Sequence, residues 1–108
     1  MLDYQLTIGL FDKNTAAQDI STEATKTMIA DLLLNRFGIY AFTLIGCNGV
    51  YKMADGRIIF EPSIRLEIAA DTDIDNTLDA FIETIKSPAY LNQECIMIKK
   101  SVSNINFK

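Results

Sequence analysis

The hydrophobic pattern changes period along the chain and thereby predicts its elements. Residues 2–11 alternate between apolar and polar positions, which predicts a strand with one face in the core. Residues 22–36 carry apolar side chains three or four positions apart after the N-cap candidate Ser21, which predicts a helix. Residues 74–86 have the same period and predict a second helix, and residues 94–102 alternate again as a final strand.

Between the helices, residues 40–70 contain two long β-prone runs joined by Asp55-Gly56. This dipeptide favours a two-residue hairpin turn, in which both central residues adopt positive φ. If Ala54 and Arg57 flank the turn, apolar side chains gather on one face of the hairpin. The predicted pairs are Met53 with Ile58, Tyr51 with Phe60, Cys47 with Ile64 and Ile45 with Leu66. Arms of roughly 14 residues extend about 45 Å, so the tip should overhang the domain.

The resulting order, βαββαβ, is that of the ferredoxin-like fold. We predict one α+β domain over residues 1–108, with two helices on one face of a four-stranded antiparallel sheet ordered 4-1-3-2. Pro62 is unusual in an interior third strand, because Pro cannot donate to a central ladder. It fits where the hairpin has left the main sheet, or at a bulge near Gly46 or Gly49. The tail Ser103–Lys108 either extends the last strand or pairs with a neighbour.

Charge and composition exclude several classes of protein. The net charge of −4 and pI near 4.6 oppose nucleic-acid binding, which depends on Lys and Arg at phosphates. The third strand also carries one aromatic residue, Phe60, where an RNA-recognition domain needs several. The chain has no basic-then-apolar start and no apolar run of about 20 residues. We therefore expect a soluble, cytoplasmic protein that binds neither nucleic acid nor membrane.

The chain contains no His, which removes the commonest general base and metal ligand. Cys-His and Ser-His nucleophile pairs and typical zinc sites are thereby excluded within one chain. Cys47 and Cys95 are expected to be unpaired, small buried hydrophobes. No glycine-rich phosphate loop is present. The sequence thus predicts no catalytic residue, no metal and no cofactor, and a protein that is not an enzyme.

Two surfaces of the hairpin are candidates for binding. The tip combines aromatic, flexible and charged side chains of the kind found at binding hot spots. These candidate partner-binding residues are Tyr51, Lys52, Met53, Arg57 and Phe60. In the predicted register the open sheet face exposes Phe42, Leu44 and Ile59, which are too apolar for water and form a candidate oligomer interface. We predict a homo-oligomeric protein that binds another protein as an inhibitor or adaptor.

An alternative assigns the open sheet face to a small molecule. Glu61, Arg65 and Glu67 could supply an acid/base pair and an anion clamp, as in a small enzyme or a ligand-binding oligomer. Charge pairing between neighbouring strands explains the same three residues without a ligand.

Three short motifs lie on the hairpin: Gly49-Val50-Tyr51, Asp55-Gly56 and Glu61-Pro62-Ser63. On these motifs the chain resembles a loosely defined set of short, uncharacterised ferredoxin-like proteins of bacteria and their phages. That resemblance implies the fold and an origin in a mobile element. It implies nothing about activity, because no activity is established for those proteins. The architecture is also similar to that of nitrogen-regulatory signalling proteins and their trimeric relatives, which project a long loop or hairpin from this topology.

Overall fold

The computed structural model describes residues 1–104 and Lys108. Its strands are β1 (Leu2–Gly9), β2 (Thr43–Lys52), β3 (Ile58–Ala70) and β4 (Met97–Val102), and its helices are α1 (Thr22–Asn35) and α2 (Asp75–Lys86). The strands form one antiparallel sheet in the order β2-β3-β1-β4, which confirms the predicted fold. In the predicted tail, residues 105–107 lie outside the described part of the chain.

The core lies between the two helices and one face of the sheet. Alternate residues of the two central strands face it, so that Leu6 of β1 lies opposite Leu66 of β3. Fully burying such an aliphatic side chain contributes about 1.5–3 kcal/mol. The largest side chains without solvent exposure are Tyr4, Leu6, Ile8, Ile29, Leu33, Ile64, Leu66, Leu78, Phe81 and Ile85.

Side chains fix where the two helices begin. Ser21 Oγ accepts a hydrogen bond from the Ala24 N–H at 3.1 Å, which confirms the predicted cap of α1. At the start of α2, Asp73 Oδ1 accepts from the Asp75 N–H at 2.8 Å. The hydroxyl of the buried Tyr4 accepts from the Ile74 N–H at 3.2 Å. Tyr4 thus anchors α2 to the central strand β1.

The hairpin differs from the prediction by one residue in register. The Met53 N–H donates to the Arg57 carbonyl at 2.8 Å, so that three residues, not two, form the loop. Gly56 has φ of 92°, as in a type I turn followed by a left-handed residue. Val50 therefore pairs with Phe60, whereas the two-residue turn would have paired Tyr51 with Phe60.

This shift exchanges the faces on which the side chains of β2 lie. Leu44 pairs with Leu66 and packs against the core on the helix side, and Phe42 is also partly buried against the core. The prediction that Phe42 and Leu44 lie on the open sheet face is wrong. Cys47 pairs with Ser63 on that open face.

The outer half of the hairpin extends past the other strands. Pairing of β3 with β1 ends at Gly9 and Ser63, whereas pairing with β2 continues to Ile58. Pro62 is the first residue beyond the part paired with β1, and its carbonyl still accepts a hydrogen bond from the Leu10 N–H at 2.9 Å. Its missing N–H therefore falls at the very end of that ladder, where at most one terminal hydrogen bond is lost. The longest dimension of the molecule is 45 Å.

The edge strand β4 is less buried than its alternation suggests. Ile98 and Val102 lie opposite Leu6 and Leu2, on the helix side of the sheet. Both are nevertheless exposed, because the helices cover the central strands and leave this edge open.

Cys95, expected to be buried, is also exposed, and Cys47 is half-buried. Within the described residues, no helix has the length and apolar character needed to span a membrane.

Candidate functional site

A cleft of about 510 Å³ lies where the outer half of the hairpin meets the loops before α1 and before β4. We call it the Glu61 cleft. Its lining residues are Phe11, Asp12, Lys13, Ala16, Tyr51, Met53, Glu61, Gln93, Glu94 and Cys95. Ligand sites in proteins commonly enclose 300–1,000 Å³, which makes this cleft large enough for a small metabolite.

Glu61 is fixed in the cleft by a backbone contact and by the absence of a side chain at Gly9. Its Oε2 accepts a hydrogen bond from the Phe11 N–H at 2.9 Å. A Cβ atom at Gly9 would lie 2.6 Å from the carboxylate carbon of Glu61, closer than van der Waals contact allows. Residue 9 must therefore be glycine for the carboxylate to keep this position.

Gln93 binds the other polar group of the same backbone residue. Its Nε2 donates a short hydrogen bond to the Phe11 carbonyl and a longer one, at 3.4 Å, to the Leu91 carbonyl. The amide cannot be reversed, because its oxygen would then face both carbonyl oxygens. Phe11 is thus held by Glu61 at its N–H and by Gln93 at its C=O.

The two loops that form one wall of the cleft are bonded to each other. Asn92 Nδ2 donates to Asp12 Oδ2 at 3.0 Å, and the Lys13 N–H donates to the Asn92 carbonyl at the same distance. Asp12 Oδ1 also accepts from the Asn14 N–H at 2.8 Å. The bond from Asn92, more than any other contact, lowers the pKa of Asp12, which stays ionised. This wall therefore carries a fixed negative charge.

The remaining residues of the predicted small-molecule site lie apart from Glu61. Arg65 Nε and Glu67 Oε1 are 3.2 Å apart, on the same strand, and form an ion pair on the open sheet face. In the ladders, Arg65 is opposite Thr7 and Ile45. The structure therefore does not bring Glu61, Arg65 and Glu67 together, and the ion pair lies within one strand.

The residues of the candidate oligomer interface also lie on different faces of the sheet. Ile59 pairs with Tyr51 on the open face, while Phe42 and Leu44 face the core. The three residues do not form one surface. Contact with another copy through Ile59 stays a prediction.

The hairpin tip has two unlike faces. Tyr51 and Met53 line the Glu61 cleft. Phe60, with 65% of its surface exposed, pairs with Val50 on the opposite face. Arg57 Nε is 2.7 Å from Asp55 Oδ2 within the turn. The five candidate partner-binding residues, Lys52 included, are exposed, and binding of a partner through them stays a prediction.

Sequence reasoning missed Phe11, Asp12 and Gln93 as parts of a site. Phe11 acts through its main chain, and Gln93 lies 82 positions away in the sequence. Among the described residues, no group of three carboxylate or thiol side chains is placed to hold a metal ion.

Comparison with known proteins gives no family and several similar folds. No protein-family model and no curated protein matches the sequence. A phage SAM lyase in complex with S-methyl-5'-thioadenosine is 16% identical, with a TM-score of 0.65 over 93% of this chain and 79% of that chain. CutA from Pyrococcus horikoshii is 16% identical, with a TM-score of 0.57 over 98% and 88%. The GlnK-ATP complex of B. subtilis is 12% identical, with a TM-score of 0.53 over 93% and 82%.

At these identities the likeness shows the fold alone. One of the structural neighbours is a phage protein, but the comparisons do not assign this chain to a family. The prediction that the protein is not an enzyme is contradicted, because a lyase has this fold. The absence of His removes the commonest general base, but it does not by itself exclude catalysis.

Proposed function

We propose that the chain is an enzyme subunit that binds a SAM-like adenosyl sulfonium compound in the Glu61 cleft and cleaves it to S-methyl-5'-thioadenosine (MTA). The observation that carries this proposal is the Glu61 carboxylate, fixed over Gly9 at the edge of a metabolite-sized cleft. Two of the structural neighbours hold an adenine compound, MTA in the phage lyase and ATP in GlnK.

The charge of the cleft favours the sulfonium compound over ATP. Among the described residues, its lining includes three carboxylates, Asp12, Glu61 and Glu94, and one cation, Lys13. The whole chain carries a net charge of −4. Such a field attracts a cation and repels the triphosphate of ATP. We therefore expect SAM to bind and ATP to bind weakly at most.

The uncharged part of the cleft suits a nucleoside. Tyr51 and Phe11 supply aromatic surface, and Met53 supplies a flexible apolar side chain. Aromatic side chains stack on nucleobases with about 1–3 kcal/mol per base. The purine would then lie on the hairpin side of the cleft, with the sulfonium and the ammonium group of the ligand toward Glu61.

The reaction suits a chain without His. The carboxylate of the substrate's own amino-acid tail would attack the carbon bonded to the sulfonium, so that a C–O bond forms as the C–S bond breaks. The electron pair of the C–S bond moves to sulfur, and the products are neutral MTA and the lactone of the amino-acid part. This leaving group needs no proton, so no general acid is required. Glu61 would hold the cationic substrate in one orientation, which is a positioning contribution to the rate.

Purified protein incubated with SAM should release MTA, detected by liquid chromatography and mass spectrometry. The substitution Glu61→Gln removes the charge but keeps the shape, and it should lower kcat/KM about 10- to 100-fold. Glu83→Gln, on the exposed side of α2, is the matched control and should leave the rate unchanged. Failure of the wild type to release MTA above the uncatalysed rate would refute the proposed activity.

We also propose that the protein works as a homo-oligomer. Val50, Ile58 and Phe60 leave an apolar surface on one face of the hairpin, in a strand pair that extends past the sheet. Association would remove this surface from water. The hairpin tip is also proposed as a contact for another protein. We further propose that the protein is cytoplasmic, as expected from the sequence.

A further inference from the structure

We infer that Gln93 is a specificity-determining residue, which together with Glu61 binds the primary ammonium group of the ligand. This inference rests on the proposed function, since the ammonium belongs to the amino-acid tail of a SAM-like compound. It separates ligands that carry the tail from MTA, which has the same nucleoside and no ammonium.

The backbone of Phe11 brings the two side chains to one place. Phe11 forms an isolated antiparallel bridge with Gln18, so its main chain is extended. In extended backbone the N–H and C=O of one residue point to the same side. Glu61 binds that N–H and Gln93 binds that C=O, which sets both side chains on the same side of Phe11.

Each side chain keeps one oxygen for a ligand. Glu61 uses Oε2 on the Phe11 N–H, and Gln93 uses Nε2 on the carbonyls of Phe11 and Leu91. Within residues 1–104, no hydrogen bond occupies Oε1 of either side chain. Both residues line the cleft. The cleft therefore offers one carboxylate oxygen and one amide oxygen as acceptors.

Two acceptors with a single negative charge suit a primary ammonium. That group has three N–H donors and one positive charge, so it bonds both oxygens and is neutralised by Glu61. A sulfonium has no N–H or O–H, so it cannot form such a hydrogen bond with the amide oxygen. Gln93 therefore recognises the tail of the ligand and not its sulfur.

Gln93 is fixed before the ligand arrives. Gln93 has 8% of its surface exposed. The neighbouring Asn92 forms hydrogen bonds to Asp12 and Lys13 in the cleft wall. A side chain held in this way loses little conformational entropy on binding. An exposed glutamine would give a weaker preference.

The test compares two ligands by isothermal titration calorimetry: S-adenosylhomocysteine, which carries the ammonium and is not a sulfonium, and MTA. The wild type should prefer S-adenosylhomocysteine. Gln93→Met keeps the length and removes the acceptor, and it should reduce that preference about tenfold or more while leaving the Kd for MTA within twofold. Gln5→Met on β1, outside the cleft, is the matched control and should preserve the preference.

The ratio of the two Kd values separates recognition from support of Phe11. If Gln93 only supports the Phe11 backbone, Gln93→Met should weaken both ligands by the same factor and leave the preference for S-adenosylhomocysteine unchanged. That outcome would overturn the inference. If the wild type binds neither compound, the proposed function itself fails. If it binds both compounds and Gln93→Met leaves the preference unchanged, only the inference about Gln93 fails.

Discussion

Gly9 is the residue on which the position of Glu61 depends most directly. We predict that Gly9→Ala, whose methyl group displaces the flexible end of the Glu61 side chain from the Phe11 N–H, lowers the free energy of unfolding by about 1–2 kcal/mol, the cost of that hydrogen bond. Urea denaturation followed by circular dichroism measures the change. In a Glu61→Ala background the same substitution should cost little, because the clash is gone. A full cost in both backgrounds would contradict the contact.

Gly46→Ala is the matched control for that experiment. Gly46 also lies in a strand, but a Cβ there would be 3.5 Å from Thr22 Cγ2, an ordinary contact. This substitution should change the free energy of unfolding by less than about 1 kcal/mol.

At the scale of elements, an ion cluster joins the edge strand to the second helix. Lys100 Nζ lies 3.0 Å from Asp75 Oδ2 and 3.1 Å from Asp73 Oδ2. Tyr4 OH donates to Asp75 Oδ1 at 3.0 Å. The pKa of Lys100 is raised, first by its bond to Asp75. The pKa of Asp73 is lowered, first by the Asp75 N–H and then by Lys100.

The lowered pKa of Asp73 predicts how stability changes with acid. Its contribution is present above the unfolded pKa of about 3.9 and is lost as pH falls through the lower folded value. Lys100→Met removes part of the cause, so its urea midpoint should fall less between pH 7 and pH 3 than that of the wild type. Lys99→Met, on the opposite face of β4, should behave as the wild type. Equal falls in the wild type and Lys100→Met would contradict the cluster's role.

The elements and their order could be predicted because each has a clear hydrophobic period. The register of the hairpin could not. Asp55-Gly56 fits a two-residue turn and also the end of a three-residue loop, since both place Gly at positive φ. Near the tip Val50 and Tyr51 are both apolar, so alternation does not choose between the registers.

The cleft was predictable only in part. Glu61 could be named as a candidate because it is a carboxylate on the hairpin. Its partner is a backbone N–H 50 positions away, and because every residue except proline has that group, the sequence does not reveal the contact. Gln93 follows Asn92, whose positive φ of 49° turns the chain toward the first loop. No pattern in the sequence predicts that turn.

At the scale of the whole molecule, the overhanging hairpin predicts self-association. Size-exclusion chromatography with light scattering should give a multiple of 12.1 kDa at tens of micromolar. Phe60→Ser removes the most exposed aromatic side chain of the apolar hairpin face and should weaken association at least tenfold. A monomeric wild type would contradict the prediction, as would a Phe60→Ser variant that associates equally well.

The most direct test of the central claim is a crystal structure of the protein soaked with MTA. We predict density for the nucleoside in the Glu61 cleft, with the purine on Tyr51 or Phe11 and the thioether directed toward Glu61. The Glu61 contact to the Phe11 N–H should be retained in the complex. Density at another surface, or an empty cleft at saturating MTA, would contradict the assignment of this cleft as the binding site.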